Sequence, residues 1–165
     1  MALERLKDPE LRIVTLDKDV SIATHGQAVL CHFRGLTPAS AAAILRRALG
    51  QLDARRPAIF FAVIETTSTP PDGEARAAFS KFFEDSAERL ACAVVAIRGE
   101  GFRAAMVRTI ASGILHLMPR FRVAFPKHIV ASPEEAARLA KESLPALDTT
   151  ALLHAFTAFS EMPAP

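Results

Sequence analysis

Residues 57–65 read Pro-Ala-Ile-Phe-Phe-Ala-Val-Ile-Glu, and residues 91–97 read Ala-Cys-Ala-Val-Val-Ala-Ile. Each run is short, apolar and bounded by polar residues, so each predicts a buried strand. A helical pattern follows each strand, first from about Asp72 to Leu90 and then from about Phe102 to Met118, where Pro119 ends it. Repeated strand–helix units imply parallel strands joined by right-handed crossovers.

The segment before these units has a different pattern. Polar and apolar residues alternate over residues 11–16 and again over residues 20–24, which is typical of half-buried strands. A third run, Ala28 to Phe33, follows a turn containing Gly26. Short links predict an antiparallel meander. The expected fold is therefore α/β, with one mixed sheet that is antiparallel at its start and parallel afterwards, and with helices packed on it.

Three more helices and one strand complete the predicted order. Hydroxyl or carboxylate side chains that precede an apolar-periodic segment are typical N-caps. The predicted caps are Thr37 before Pro38, Ser132 before Pro133, and Asp148 or Thr149 before a final helix; the strand is Phe121–Phe125. We expect residues 1–10 to be an N-terminal segment, residues 11–145 to form one domain, and the helix within 146–165 to pack on that domain or on a partner.

The composition excludes several classes of protein. Half of the residues are apolar, 23% are charged and the formal net charge is only +2, which argues against disorder and against nucleic-acid binding. Cys31 and Cys92 lie in predicted strands, so we expect buried small side chains there and no disulfide framework. Charges within Met1–Asp8 do not fit a secretory signal, and no apolar run reaches the ~20 residues of a membrane span. These features predict a cytoplasmic protein without membrane insertion.

The order of three strands, a helix and further strand–helix units resembles the STAS family, the domain of anti-sigma-factor antagonists, and its stand-alone STAS/SEC14-like branch. The resemblance covers roughly residues 11 to 142. It includes the loop Glu65-Thr66-Thr67-Ser68-Thr69 after one buried strand and Arg98-Gly99-Glu100-Gly101-Phe102-Arg103 after the next. It implies a non-catalytic regulatory module that docks on a partner protein, with a phosphorylated Ser or Thr in many members.

The loop after the first buried strand is the candidate regulatory site. In family members that are regulated by phosphorylation of this loop, an acidic residue precedes the hydroxyl residue at the N-terminus of a helix. Here Glu65 precedes the hydroxyls, and two prolines separate them from the helix. A phosphate near a helix N-terminus would be stabilised by free N–H groups, whereas the alternative is a solvated loop whose hydroxyls cap turns. The candidate residues are Thr66, Thr67, Ser68 and Thr69.

The second loop is a candidate anion site. Residues 99–104 formally fit the Gly-x-Gly-x-x-Gly/Ala pattern between a strand and a helix. A dinucleotide site is disfavoured, because this is not the first strand–helix–strand unit and no acidic residue closes the following strand. A simple anion or nucleotide phosphate contacted by Arg98 or Arg103 is favoured over a dinucleotide, and the alternative is a tight turn made possible by two glycines. The candidate residues are Arg98, Gly99, Gly101 and Arg103.

The predicted helix at 102–118 is apolar almost all round. A helix on one face of a sheet normally exposes about half of its circumference, so this one needs further cover. That cover is either the C-terminal helix, or a partner protein or second copy of the chain. The candidate interface residues are Met106, Val107, Ile110, Ile114, Leu115 and Met118 on this helix, with Leu152, Phe156 and Phe159 on the last one.

No familiar catalytic or metal-binding motif occurs in the sequence. The five histidines are dispersed, and no nucleophile elbow or P-loop is present, so we expect no metal, no cofactor and no catalysis. The leading hypothesis is a STAS-like regulatory protein that acts through protein–protein interaction. One alternative is a carrier of small, lipid-like ligands with an apolar pocket. The other is an enzyme with an unrecognised site, in which Glu65 and Asp72 would act as acid and base.

Overall fold

One six-stranded mixed sheet organises the molecule in the computed structural model, which describes residues 10–116 and 125–165, the side chains of 114–116 excepted. The strand order in the sheet is the order in the chain. The first three strands pair antiparallel and every later pair is parallel, which confirms the predicted fold class. The strands are β1 (Leu11–Thr15), β2 (Val20–His25), β3 (Ala28–Phe33), β4 (Ala58–Ile64), β5 (Leu90–Ile97) and β6 (Lys127–Val130).

In the part of the chain that the structure describes, five helices cover the two faces of this sheet. Each parallel crossover moves to the next position in the sheet, so the right-handed rule places the three crossover helices on one face. The two helices that follow the last strand cover the other face, and each face has its own apolar core. The helices are α1 (Ala41–Gly50), α2 (Gly73–Ser86), α3 (Gly101–His116), α4 (Pro133–Ser143) and α5 (Thr149–Ser160).

Strand alternation assigns each side chain to one of the two cores. On β3, Val29, Cys31 and Phe33 face α1 and α2, whereas Ala28 and Leu30 face α4 and α5. The adjacent phenylalanines of β4 separate in the same way. Phe60 packs edge-on against Phe83 of α2 at a ring distance of 4.9 Å, and Phe61 packs against Phe156 of α5 at 5.6 Å.

The predicted helix caps are correct except for the first. Ser132 accepts a hydrogen bond from the Glu135 N–H at 3.2 Å, and Asp148 accepts one from Ala151 at 3.0 Å. Thr37, however, does not cap α1. Residues 38–40 form a separate turn in which the Ala41 N–H donates to the Pro38 carbonyl, and the helix begins only after this turn.

Two predicted boundaries are also corrected. Of the predicted strand Phe121–Phe125, residues 121–124 lie outside the described part of the chain, and Phe125 is not in a strand. The last strand of the described residues, β6, is Lys127–Val130. Phe125 precedes β6 and is buried against Phe83, with the two ring centres 6.2 Å apart. Leu90 is the first residue of β5 and not the last residue of α2, which ends at Ser86.

The C-terminal helix does not cover α3, contrary to one of the two options in the sequence prediction. Leu152, Phe156 and Phe159 are at most 2% exposed and belong to the core of the α4/α5 face. Because α3 lies on the opposite face of the sheet, α5 cannot reach it. The assignment of these three residues to an interface is therefore corrected, since they are core residues of this chain. Among the described residues, no helix is long and apolar enough to span a bilayer.

Candidate functional site

A row of polar side chains lies at the carboxyl edge of the parallel strands. His32 of β3, Glu65 after β4 and Arg98 after β5 continue the alternation that places Leu30, Val63 and Ala96 on the α4/α5 face. Polar residues that follow neighbouring parallel strands meet at this edge, where open α/β sheets usually bind ligands. The register of the sheet thus brings together three residues that are 33 positions apart in sequence.

These three side chains form one hydrogen-bonded cluster. His32 Nε2 lies 2.8 Å from Glu65 Oε1, and Arg98 Nη1 donates to the same oxygen at 3.1 Å. Burial lowers the pKa of His32, and the positive charges of Arg34 and Arg98 act in the same direction, whereas the Glu65 contact opposes the shift. The neutral imidazole with its proton on Nε2 fits this geometry, because Nε2–H then donates to the Glu65 carboxylate.

The second nitrogen of His32 limits what the cluster can do chemically. Its Nδ1 atom is buried and contacts no hydrogen-bonding group in the described part of the protein. The ring packs edge-on against Phe156, with the centroids 5.6 Å apart. In a catalytic triad this second nitrogen would contact the nucleophile. Here an aromatic ring packs on the imidazole, and Glu65 holds it in place.

Arg34 extends the cluster toward the antiparallel edge. Its guanidinium donates to the Ser21 hydroxyl at 2.6 Å and also to the Asp17 carbonyl. Ser21 lies opposite His32 in the β2–β3 register. This arginine therefore ties the β1–β2 turn to the end of β3, so the polar edge spans four strands.

The candidate regulatory loop is ordered around one buried residue. Ser68 is buried, and its hydroxyl donates to the Gly35 carbonyl at 3.3 Å. The Thr69 N–H donates to the same carbonyl at 2.8 Å. Thr66, Thr67 and Thr69 are exposed. Phosphorylation of Ser68 would break its hydrogen bond, whereas the three exposed threonines are open to modification.

These hydroxyls do not sit at the N-terminus of α2. Asp72 is the N-cap of this helix and accepts from the Ala75 N–H at 2.8 Å. The Asp72 carboxylate therefore has a structural role as the cap of this helix.

The candidate anion loop is a tight turn that packs on the regulatory loop. Gly99 and Gly101 have φ values of 91° and 86°, a region that L side chains rarely adopt. A Cβ atom on Gly99 would lie 2.3 Å from Thr66 Cγ2, and the Gly99 carbonyl accepts from Arg108 at 3.2 Å. Arg98 is paired with Glu65, whereas Arg103 is exposed. Anion binding here stays a prediction, and the tight turn is directly observed.

Helix α3 has apolar residues on two sides, one buried against the sheet and one exposed. Val107 is buried in the α1/α2 core, and Ile110 lies half-buried beside it. Phe102 is 84% exposed and Met106 is 39% exposed. These two are four residues apart and therefore adjacent on one face of the helix. We call them the outer face of α3. The side chains of Ile114 and Leu115, and all of Met118, lie outside the described part of the chain.

An apolar cavity of about 70 Å³ lies beneath the inner side of α3. It is bounded by the ends of β3, β4 and β5, by α2 and by the loop from Ser68 to Pro71. Of the described residues, four phenylalanine rings contribute to its wall, and the cavity is partly open at the surface. They are Phe33, Phe60, Phe79 and Phe83.

The His32–Glu65–Arg98 cluster was missed by the sequence analysis, which considered Glu65 and Arg98 separately and treated His32 as one of five dispersed histidines. The signal was present, because each residue stands two positions after an apolar residue of a predicted strand. Within residues 10–116 and 125–165, no group of three or more His, Cys, Asp or Glu side chains is placed to hold a metal ion.

No family model matches the chain, and neither the curated proteins nor the solved structures gave a match. The fold and the site define a mixed-sheet α/β protein with a polar cluster at the carboxyl edge of the sheet and an apolar cavity on the face that α3 covers.

Proposed function

We propose that this chain is a non-catalytic, STAS-like regulatory protein that acts by docking on a partner protein or on a second copy of itself. The observation that carries the proposal is the outer face of α3, where Phe102 and Met106 are exposed side by side. Isolated exposed apolar residues are common on protein surfaces, but an aromatic ring exposed beside a second apolar side chain is typical of interfaces.

The surroundings of this face also suit docking. Arg103 is exposed in the same turn as Phe102, and aromatic residues, methionine and arginine are enriched at protein interfaces relative to the rest of the surface. Thr66 contacts the turn that leads into α3. A phosphate on Thr66, Thr67 or Thr69 would therefore add negative charge close to the docking face and change its affinity for a partner.

The test is a double substitution on the outer face, Phe102→Ser with Met106→Ser, examined by light scattering and by pull-down with the purified protein as bait. We expect the double variant to lose the dimer or captured partner that the unsubstituted protein forms. The matched control is Leu36→Ser, because Leu36 is a large exposed residue, at 61%, in the loop after β3 and outside α3. A protein that is strictly monomeric and captures nothing contradicts the proposal.

A second candidate function is a carrier of small apolar ligands, and the cavity beneath α3 favours it. The wall of this cavity is almost entirely carbon, as expected for a lipid-like ligand. Native mass spectrometry of freshly purified protein is the test. A co-purified lipid supports the carrier function, and a mass equal to the bare chain argues against it.

A further inference from the structure

The cavity beneath α3 has walls that exclude charged and strongly polar ligands. Among the residues that the structure describes, no charged side chain lines it, and its polar lining residues are the hydroxyl residues Thr37, Ser68 and Thr69. The Ser68 hydroxyl donates to the Gly35 carbonyl, and the Thr37 hydroxyl donates to the Thr69 carbonyl at 3.5 Å. A charged ligand group in this space would lose its hydration without gaining a partner, which costs several kcal/mol.

The size of the cavity further limits which ligands can bind. Its volume is about 70 Å³, whereas an apolar cavity of ~150 Å³ is the size known to accept benzene. The space therefore suits a slender hydrocarbon segment better than a planar ring. The opening lets the rest of a longer ligand remain outside.

We propose that this cavity binds the terminal segment of an alkyl chain, with the polar head of the ligand at the surface near Thr69. The proposal rests on the second candidate function, the apolar-ligand carrier, and names the part of the ligand that the chain recognises. Val107, Ile110 and Ala111 of α3 form one side of the site, and Ile64 and Val95 of the sheet form another.

The test uses 1-hexanol as the probe and compares two alanines of the same helix. Ala111 lines the cavity, whereas Ala105 is exposed and does not. Ala111→Leu fills the space with a larger side chain, and Ala105→Leu is the matched control. In methyl-detected NMR titrations, we expect saturable shifts at Ile64 and Ile110 in the unsubstituted protein and in Ala105→Leu. Ala111→Leu should weaken binding at least about tenfold.

A second probe and a second variant make the outcome decisive. Benzyl alcohol should bind more weakly than 1-hexanol, because its ring exceeds the space available. Ala111→Val is a smaller filling substitution that should weaken 1-hexanol binding while keeping the circular dichroism spectrum and cooperative thermal unfolding of the unsubstituted protein. The proposal is overturned if both filling variants bind 1-hexanol with unchanged affinity, or if the aromatic probe binds more tightly.

These results separate the site from the carrier function. Saturable 1-hexanol binding that the Ala111 variants abolish supports the alkyl site, whether or not native mass spectrometry detects a lipid. If no lipid is detected, that result counts against the carrier function alone. A co-purified lipid that remains bound to Ala111→Leu supports a carrier but refutes this cavity as the place where the alkyl chain binds.

Discussion

His32 Nε2 and Glu65 Oε1 lie 2.8 Å apart and join the end of β3 to the loop that follows β4. The same carboxylate oxygen accepts from Arg98 after β5, so one acidic side chain holds three strand ends together. Phe156 packs edge-on against the His32 ring from α5. The C-terminal helix and the carboxyl-edge loops therefore meet at a single buried imidazole, and the charge of that imidazole affects both.

The first prediction is that acid destabilises the protein through His32. Burial lowers the pKa of His32 in the folded chain, whereas the unfolded value is about 6.5. Below about pH 6.5, the unfolded chain therefore binds a proton that the folded chain does not. The free energy of unfolding should be fully retained above that pH. As the pH falls from about 6.5 to the pKa of His32 in the folded chain, this group should lower the free energy of unfolding by at most about 1.4 kcal/mol per pH unit. Urea denaturation at a series of pH values measures the slope.

Two variants assign this slope to the buried imidazole. His32→Gln keeps an N–H group that can reach Glu65 but removes the titrating ring, so it should reduce the acid-dependent loss even if stability at neutral pH is lower. His154→Gln removes an exposed histidine of α5 and should retain the loss. An unchanged slope in His32→Gln would show that other groups cause the acid sensitivity.

Much of the fold follows from patterns that are local in sequence. The apolar runs of β4 and β5 and the alternation before them were sufficient to predict a mixed sheet, because strand type depends on nearby residues. The caps at Ser132 and Asp148 were predictable for the same reason. Thr37 misled the prediction because a cap signal gives only a local preference, and here a turn at residues 38–40 comes before the helix.

The candidate site was much less predictable, because it depends on register and on which face each element covers. The alternation around His32 predicts the face of the sheet on which its ring lies, but not that the ring meets Glu65, because that contact requires the β3–β4 pairing in which His32 is opposite Val63. The option that α5 covers α3 was wrong for a related reason. An apolar helix face predicts burial, but it does not say which of the two sheet faces buries it.

The second prediction concerns the turn before α3. Gly99→Ala should destabilise the protein by more than the ~1–2 kcal/mol cost of a left-handed conformation, because its Cβ would also lie 2.3 Å from Thr66 Cγ2. Gly101→Ala is the matched control, since Gly101 also has positive φ but no neighbour lies within 4 Å of its added Cβ. The companion change Thr66→Ser removes Cγ2 and should bring Gly99→Ala to the cost of the control. If Gly99→Ala and Gly101→Ala lower the free energy of unfolding equally in urea denaturation, the predicted clash with Thr66 is wrong.

The third prediction concerns the two cysteines. Burial raises the pKa of Cys31 far above that of a free thiol and raises the pKa of Cys92 to about 11. Because the thiolate is the reactive form, both side chains should resist alkylation by iodoacetamide in the native protein and react fully in denaturing guanidinium chloride. Mass spectrometry counts the added groups. Rapid modification of either thiol under native conditions would show that its strand opens readily.

The last prediction separates core from docking surface by comparing two phenylalanines. Phe156 is 2% exposed and packs against both His32 and Phe61, whereas Phe102 is 84% exposed on the outer face of α3. Phe156→Ala should lower the free energy of unfolding by about 3–5 kcal/mol, because it leaves a cavity between α5 and the sheet. Phe102→Ala should change it by no more than about 0.5 kcal/mol and should act on association instead. Thermal unfolding and light scattering of both variants provide the two readouts. A Phe156→Ala protein of near-normal stability would mean that α5 does not pack on the sheet as described. The assignment of α5 to the core and of the outer face of α3 to the docking surface would then be wrong.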